Sequence, residues 1–133
     1  MSVGGEILGS IGTGLVVLLG VGEGDDEGKA DRLAEKVSKL RVFESDEKPM
    51  DRSLLDIGGA VLCVSQFTLY GDTRRGLRPS FTEAAEPATA ERLYDLFCEC
   101  LADRGVPVQT GRFAARMSVE LTNEGPVTLL LEA

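Results

Sequence analysis

Ser65, Gln66, Phe67 and Thr68 follow directly on the apolar run Ala60-Val61-Leu62-Cys63-Val64. Such a continuous run fits a strand covered on both faces, and the ends of such strands are where α/β folds open ligand crevices. Polar groups there can be positioned by a rigid core while remaining accessible. A strand fraying into the loop at Gly71-Asp72 fits the same residues. A second candidate is Asn123-Glu124-Gly125-Pro126-Val127-Thr128. A plain turn accounts for these residue types; the alternative is that Gly125-Pro126 is a stiff piece of backbone turned on a ligand. Neither segment can serve an imidazole. The chain contains no histidine, which removes Ser-His-Asp and Cys-His catalysis and histidine-ligated metals.

Other reactive groups are sparse. Three cysteines, Cys63, Cys98 and Cys100, make an odd count and give no disulfide framework, so the cytoplasm is the expected compartment. Cys98 and Cys100, two apart on a predicted helix, face different ways and make no metal site. The glycine-rich Gly20 to Lys29 is not a phosphate loop, which would need glycine at Glu23 and Ser or Thr at Ala30. Asp25 and Asp26 would repel phosphate there, whereas they complement a helix N-terminus. The segment is read as a strand-to-helix connection. Neither a metal nor a cofactor is expected.

The net charge is -8, which argues against coating DNA or any long nucleic acid. The charge is uneven, however: Asp72 to Arg116 holds seven acids and seven arginines, and Arg74, Arg75 and Arg78 fall within five residues. That cluster could touch a short RNA end, or it could be a solvated loop. The longest apolar run, Gly14 to Val21, is far short of the roughly 20 residues of a membrane span.

The elements that must position these residues follow from periodicity. Helices are predicted from about Glu27 to Arg41, and from Pro87 to just before Gly105. Their apolar stripes are Ala30, Leu33, Ala34, Val37 and Leu40, and Ala90, Leu93, Tyr94, Phe97, Cys100 and Leu101. Strands are predicted over Glu6 to Ile11, Gly14 to Gly20, Ala60 to Ser65, Arg116 to Leu121 and Val127 to Leu131. This order indicates a mixed α/β layer fold in one domain spanning 1–133. Gly4-Gly5 suits a tight hairpin turn, but only Met1, Ser2 and Val3 precede it. Either an edge strand is left uncovered or the chain starts late relative to a longer form.

Taken together, "SQFTLYGDTRRGLRPSF" (Ser65 to Phe81), "GRFAARM" (Gly111 to Met117) and "NEGPVT" (Asn123 to Thr128) resemble the D-aminoacyl-tRNA deacylase family, whose signatures are SQFTL and NxGPxT. The resemblance extends over essentially the whole chain. It implies mixed β-sheets in barrel-like layers packed with two long helices, assembled as a homodimer. The implied activity is hydrolysis of the ester between a D-amino acid, or mischarged glycine, and the terminal adenosine of tRNA. It further implies that Gly125-Pro126 is a cis dipeptide that enters the partner's site and rejects L-aminoacyl esters, with Asn123 and Thr128 holding its loop. Ser65, Gln66 and Thr68 then become the catalytic candidates, and Phe67, Phe81 and Phe113 candidates for stacking on adenine.

Family accounts differ on whether the threonine at Thr68 attacks the ester. With no histidine to take its proton, attack by water assisted by the ribose hydroxyl is expected instead, with Gln66 and backbone N–H groups near Phe67 and Thr68 stabilising the oxyanion. One departure stands out: the family's first strand, carrying Gln-Arg-Val, has no counterpart here. If that departure removed turnover, the alternative is a non-catalytic module that binds an amino acid or a nucleotide end.

Overall fold

A computed structural model describes residues Met1–Ala133. The central strand is β4 (Ala60–Ser65), paired in parallel with β3 (Gly14–Leu19) on one side and β5 (Val108–Thr110) on the other. Val61, Leu62, Cys63 and Val64 are all buried. An unbroken apolar run is favourable only where both faces are covered, which is the situation of β4. A separate antiparallel hairpin joins β1 (Ser2–Val3) to β2 (Glu6–Ile7), with Gly4 and Gly5 both at positive φ in its turn.

Two long helices cover the sheet. Helix α1 (Glu27–Lys39) starts at Asp26, whose carboxylate accepts from the Lys29 N–H at 2.9 Å. Helix α3 (Pro87–Asp103) opens on a proline, tolerated there because the first-turn N–H has no helical partner. Ala34 and Val37 of α1 meet Tyr94, Phe97 and Leu101 of α3 in one cluster with Val61 and Cys63 of β4. The predicted stripes therefore face the core. Between the helices lies a four-residue α2 (Leu54–Ile57), fixed by a reciprocal cap in which Ser53 and Asp56 each bond the other's backbone N–H.

Three expectations need correction. The segments Arg116 to Leu121 and Val127 to Leu131 form no strands; the first is tied to β1 only through Ser118, which exchanges two 2.9 Å bonds with Ser2. Burial alternates from Arg112 to Glu120 as in a half-covered strand, but an alternating pattern extends a chain without supplying a ladder partner. The predicted strand at Glu6 to Ile11 shortens to Glu6–Ile7 for the same reason. The three-residue β5 and the short α2 were too brief for periodicity to reveal, although Ser53-x-x-Asp56 resembles a capping signature.

One bond ties the helical layer to the strand that delivers the candidate site. Tyr94 donates its hydroxyl to the Cys63 carbonyl at 2.6 Å in the buried core. Burial pushes the Tyr94 phenol well above its usual pKa, so it remains a donor. Tyr94→Phe strands a buried carbonyl and is expected to lower unfolding free energy by about 1–3 kcal/mol. Urea titration checks this; a loss below ~0.3 kcal/mol would show that the bond does not anchor β4.

Candidate active site

Strand β4 ends at Ser65, opposite Leu19 of β3, and the Gln66 N–H makes one further bond to the Leu19 carbonyl at 2.8 Å. The chain then turns into a single 3₁₀ turn, Phe67–Tyr70. The N–H groups of Phe67 and Thr68, which open this turn, donate to no backbone carbonyl, as expected of a helix start. The Gln66 side-chain amide donates to the Thr68 hydroxyl oxygen. Phe67 is 56% exposed and meets Phe81 edge-on, with ring centroids 5.0 Å apart. Ser65, Gln66, Phe67 and Thr68 are thus brought together.

What surrounds Thr68 bears on its chemistry. No carboxylate, lysine or thiolate accepts a hydrogen bond from its hydroxyl, whose one side-chain partner is Gln66. A threonine becomes a competent nucleophile when a base takes its proton, and here Gln66 offers an amide instead. The arrangement suits electrostatic stabilisation. An amide and two free N–H groups beside an exposed aromatic ring can orient a carbonyl and hold negative charge on its oxygen.

The Asn123–Thr128 loop holds itself together. Asn123 accepts from the Val127 N–H at 2.9 Å and donates from its amide to the Thr128 hydroxyl at 3.0 Å. The Gly125-Pro126 peptide is cis, and Gly125 sits at φ +128°, where a side chain would be strained. A Cβ there would also lie 3.0 Å from a Val127 methyl. The carbonyls of Gly125 and Pro126 accept no bond from the chain, and both residues are exposed. No hydrogen bond joins this loop to Ser65–Thr68 of the same chain.

Phe113 does not join the other two phenylalanines. It packs on the core side against Tyr94 of α3, centroids 6.4 Å apart. Tyr70, which sequence reasoning passed over, lies across Gly22: a Cβ on Gly22 would fall 2.7 Å from the Tyr70 hydroxyl oxygen. This close approach accounts for one glycine of the Gly20–Lys29 connection. The Gly22 N–H bonds Asp25 at 2.7 Å, so cap and turn chemistry accounts for that connection, as expected. Behind Tyr70 is a cavity of about 290 Å³ lined by Leu33, Phe97 and Leu131 among others. None of Gln66, Thr68, Gly125 or Pro126 borders it, so it is separate from both candidate segments.

Fold and site define a mixed α/β protein that presents oriented hydrogen-bond donors without an imidazole. The sequence model described as D-Tyr-tRNA(Tyr) deacylase matches residues 1–132, and the chain belongs to that family. It is 59% identical over all 133 residues to a D-aminoacyl-tRNA deacylase of Symbiobacterium thermophilum, and covers 88% of that relative. The corresponding enzyme of Thermus aquaticus is 56% identical over 133 residues, again with 88% covered. Among solved structures, a c-Myc DNA unwinding element binding protein superposes with a TM-score of 0.93 at 38% identity, covering 99% of this chain and 90% of the other. A probable eukaryotic D-amino acid tRNA deacylase shares the fold at TM-score 0.66 and 18% identity, with 82% and 78% covered.

The loop geometry predicts a local effect. Asn123→Ala removes both side-chain bonds, each worth about 1 kcal/mol. Hydrogen exchange at the Val127 amide is expected to accelerate roughly tenfold, while core amides of β4 keep their rates; an unchanged Val127 rate would show that Asn123 does not hold the loop.

Proposed function

We infer that this chain hydrolyses the ester linking a D-amino acid, or glycine, to the 3′-terminal adenosine of tRNA. Identity above 50% over the full chain to D-aminoacyl-tRNA deacylases carries the reading, and the donors gathered at the end of β4 suit its chemistry. In the proposed mechanism Gln66 and the free N–H groups of Phe67 and Thr68 bind the ester carbonyl oxygen. Water adds to the carbonyl carbon and the bond to the ribose 3′-oxygen breaks. The neighbouring 2′-hydroxyl relays the proton from water to the departing oxygen. Ser65 and Thr68 position these groups, and Phe67 stacks on the terminal adenine.

Selection of handedness is assigned to Gly125-Pro126, with Asn123 and Thr128 as its braces. Unpaired carbonyls on backbone without a glycine side chain can approach the substrate Cα closely. A rigid wall there admits hydrogen or a D-side chain and collides with an L-side chain. Since this loop makes no hydrogen bond to the Ser65–Thr68 segment of its own chain, the proposed arrangement is a homodimer in which each loop serves the partner's site. Leu129 and Leu130, 57% and 80% exposed beside the loop, are apolar surface that such a partner would cover. Aminoacyl-tRNA as substrate implies the cytoplasm; no helix is long and apolar enough to cross a membrane.

The test is release of tyrosine from D-Tyr-tRNA against L-Tyr-tRNA by the purified chain, with release from D alone expected. Binding of both without release would instead favour a non-catalytic module. Thr68→Val is expected to lower the rate by no more than about 10²-fold, the scale of losing one positioned group. A loss of ~10³-fold or more with binding unchanged would make the hydroxyl the nucleophile. A substrate ending in 2′-deoxyadenosine should not turn over, and normal turnover of that ester would remove the ribose from the mechanism.

A further inference from the structure

The sequence presents Arg74, Arg75 and Arg78 as one cluster, but the fold divides them. They lie on a nine-residue loop, Asp72–Ser80, whose ends exchange two backbone hydrogen bonds of 2.7 and 2.8 Å. Arg74 is committed at the base. Its Nε and Nη2 reach the two oxygens of Asp72 at 2.9 and 2.7 Å, and its N–H adds a third bond at 3.0 Å. The guanidinium holds the Asp72 carboxyl down at about 2, so this clasp stays charged at any physiological pH. Arg75 and Arg78 make no ion pair or hydrogen bond and are exposed. Between them Leu77 is 104% exposed, with no apolar neighbour to cover it.

Both feet of the loop stand on the candidate site. Gly71, just before it, donates its N–H to the Thr68 carbonyl at 3.0 Å. Phe81, just after it, packs edge-on against Phe67. Two free guanidiniums and an apolar tip are therefore held in fixed relation to the groups assigned to the ester. In a chain of net charge -8 the overall field repels RNA. Charges beyond a Debye length of about 8 Å are largely screened at physiological salt, so local cations decide where a phosphate can sit. Opposite charge and adjacency to the ester point to the nucleotides that carry it.

Resting on the proposed activity, we propose that the Asp72–Ser80 loop is the RNA-holding element. Arg75 and Arg78 grip backbone phosphates of the single-stranded 3′ end, Leu77 lies against a base or ribose, and the Asp72–Arg74 clasp sets the loop's shape. The loop supplies affinity for the RNA and takes no part in cleaving the ester.

The experiment compares the unsubstituted chain, the double variant Arg75→Gln/Arg78→Gln, and Arg92→Gln, whose arginine is paired with Glu27 at 2.8 Å away from the loop. Binding of fluorescent uncharged tRNA is measured from 50 to 200 mM salt, and hydrolysis is measured on D-Tyr-tRNA and on D-tyrosyl-adenosine, which lacks phosphates. The double variant is expected to bind tRNA at least tenfold more weakly. Its log–log salt slope should be shallower by about 1.4, two single-strand phosphate contacts at roughly 0.7 each. Its KM for D-Tyr-tRNA should rise while its rate on D-tyrosyl-adenosine stays within twofold, and R92Q should match the unsubstituted chain throughout. Unchanged tRNA binding, or an equal loss on both esters, would overturn the proposal. If the unsubstituted chain cleaved neither ester, the proposed activity would fall, while the binding arm would still decide whether the loop holds RNA.

Discussion

Everything at the candidate site depends on β4 being immobile up to its last residue. Its backbone is hydrogen-bonded on both edges, its side chains from Val61 to Val64 are buried, and Tyr94 fastens the Cys63 carbonyl from the helical layer. Immediately beyond Ser65 the apolar covering ends and the chain folds into one tight turn. That abrupt change lets a rigid core hold a carboxamide, a hydroxyl and two free N–H groups at an accessible surface. Fixed donors of this kind stabilise developing charge without reorganising as it forms.

The absence of histidine gives that rigidity its chemical meaning. A protein with an imidazole can generate a nucleophile on demand; this one can orient, polarise and exclude. On the proposed reading the substrate brings the remaining group, its own ribose hydroxyl. The two loops divide the other roles. On the same reading Asn123–Thr128, braced by its own side chains, presents bare backbone to the amino acid, and Asp72–Ser80, clasped by an internal ion pair, presents cations to the RNA. In both, side-chain bonds within the loop help fix its shape, and in Asp72–Ser80 two backbone bonds between the ends add to them.

Much of this was legible in the sequence. The apolar run before Ser65, the helical stripes on Leu33–Val37 and Leu93–Leu101, and the acidic helix start at Asp25-Asp26 were each set by local patterning, and each formed as written. The pairing of SQFTL with NxGPxT identified the family before any coordinate. Less legible were features that depend on distant partners. Val127 to Leu131 has strand composition, yet within one chain no strand lies beside it. Tyr70 lying over Gly22 and the packing of Phe113 on Tyr94 both depend on where the chain returns in space. Composition is silent on such returns.

The central claim is that the ester is cut with no covalent bond to the protein. Rapid-quench single turnover of D-Tyr-tRNA, followed by intact-protein and peptide mass measurement at millisecond intervals, tests it most directly. The account predicts free tyrosine appearing while the protein mass stays that of the unmodified chain at every time point. A transient tyrosyl adduct on the peptide containing Thr68, forming and decaying at the rate of product release, would contradict it.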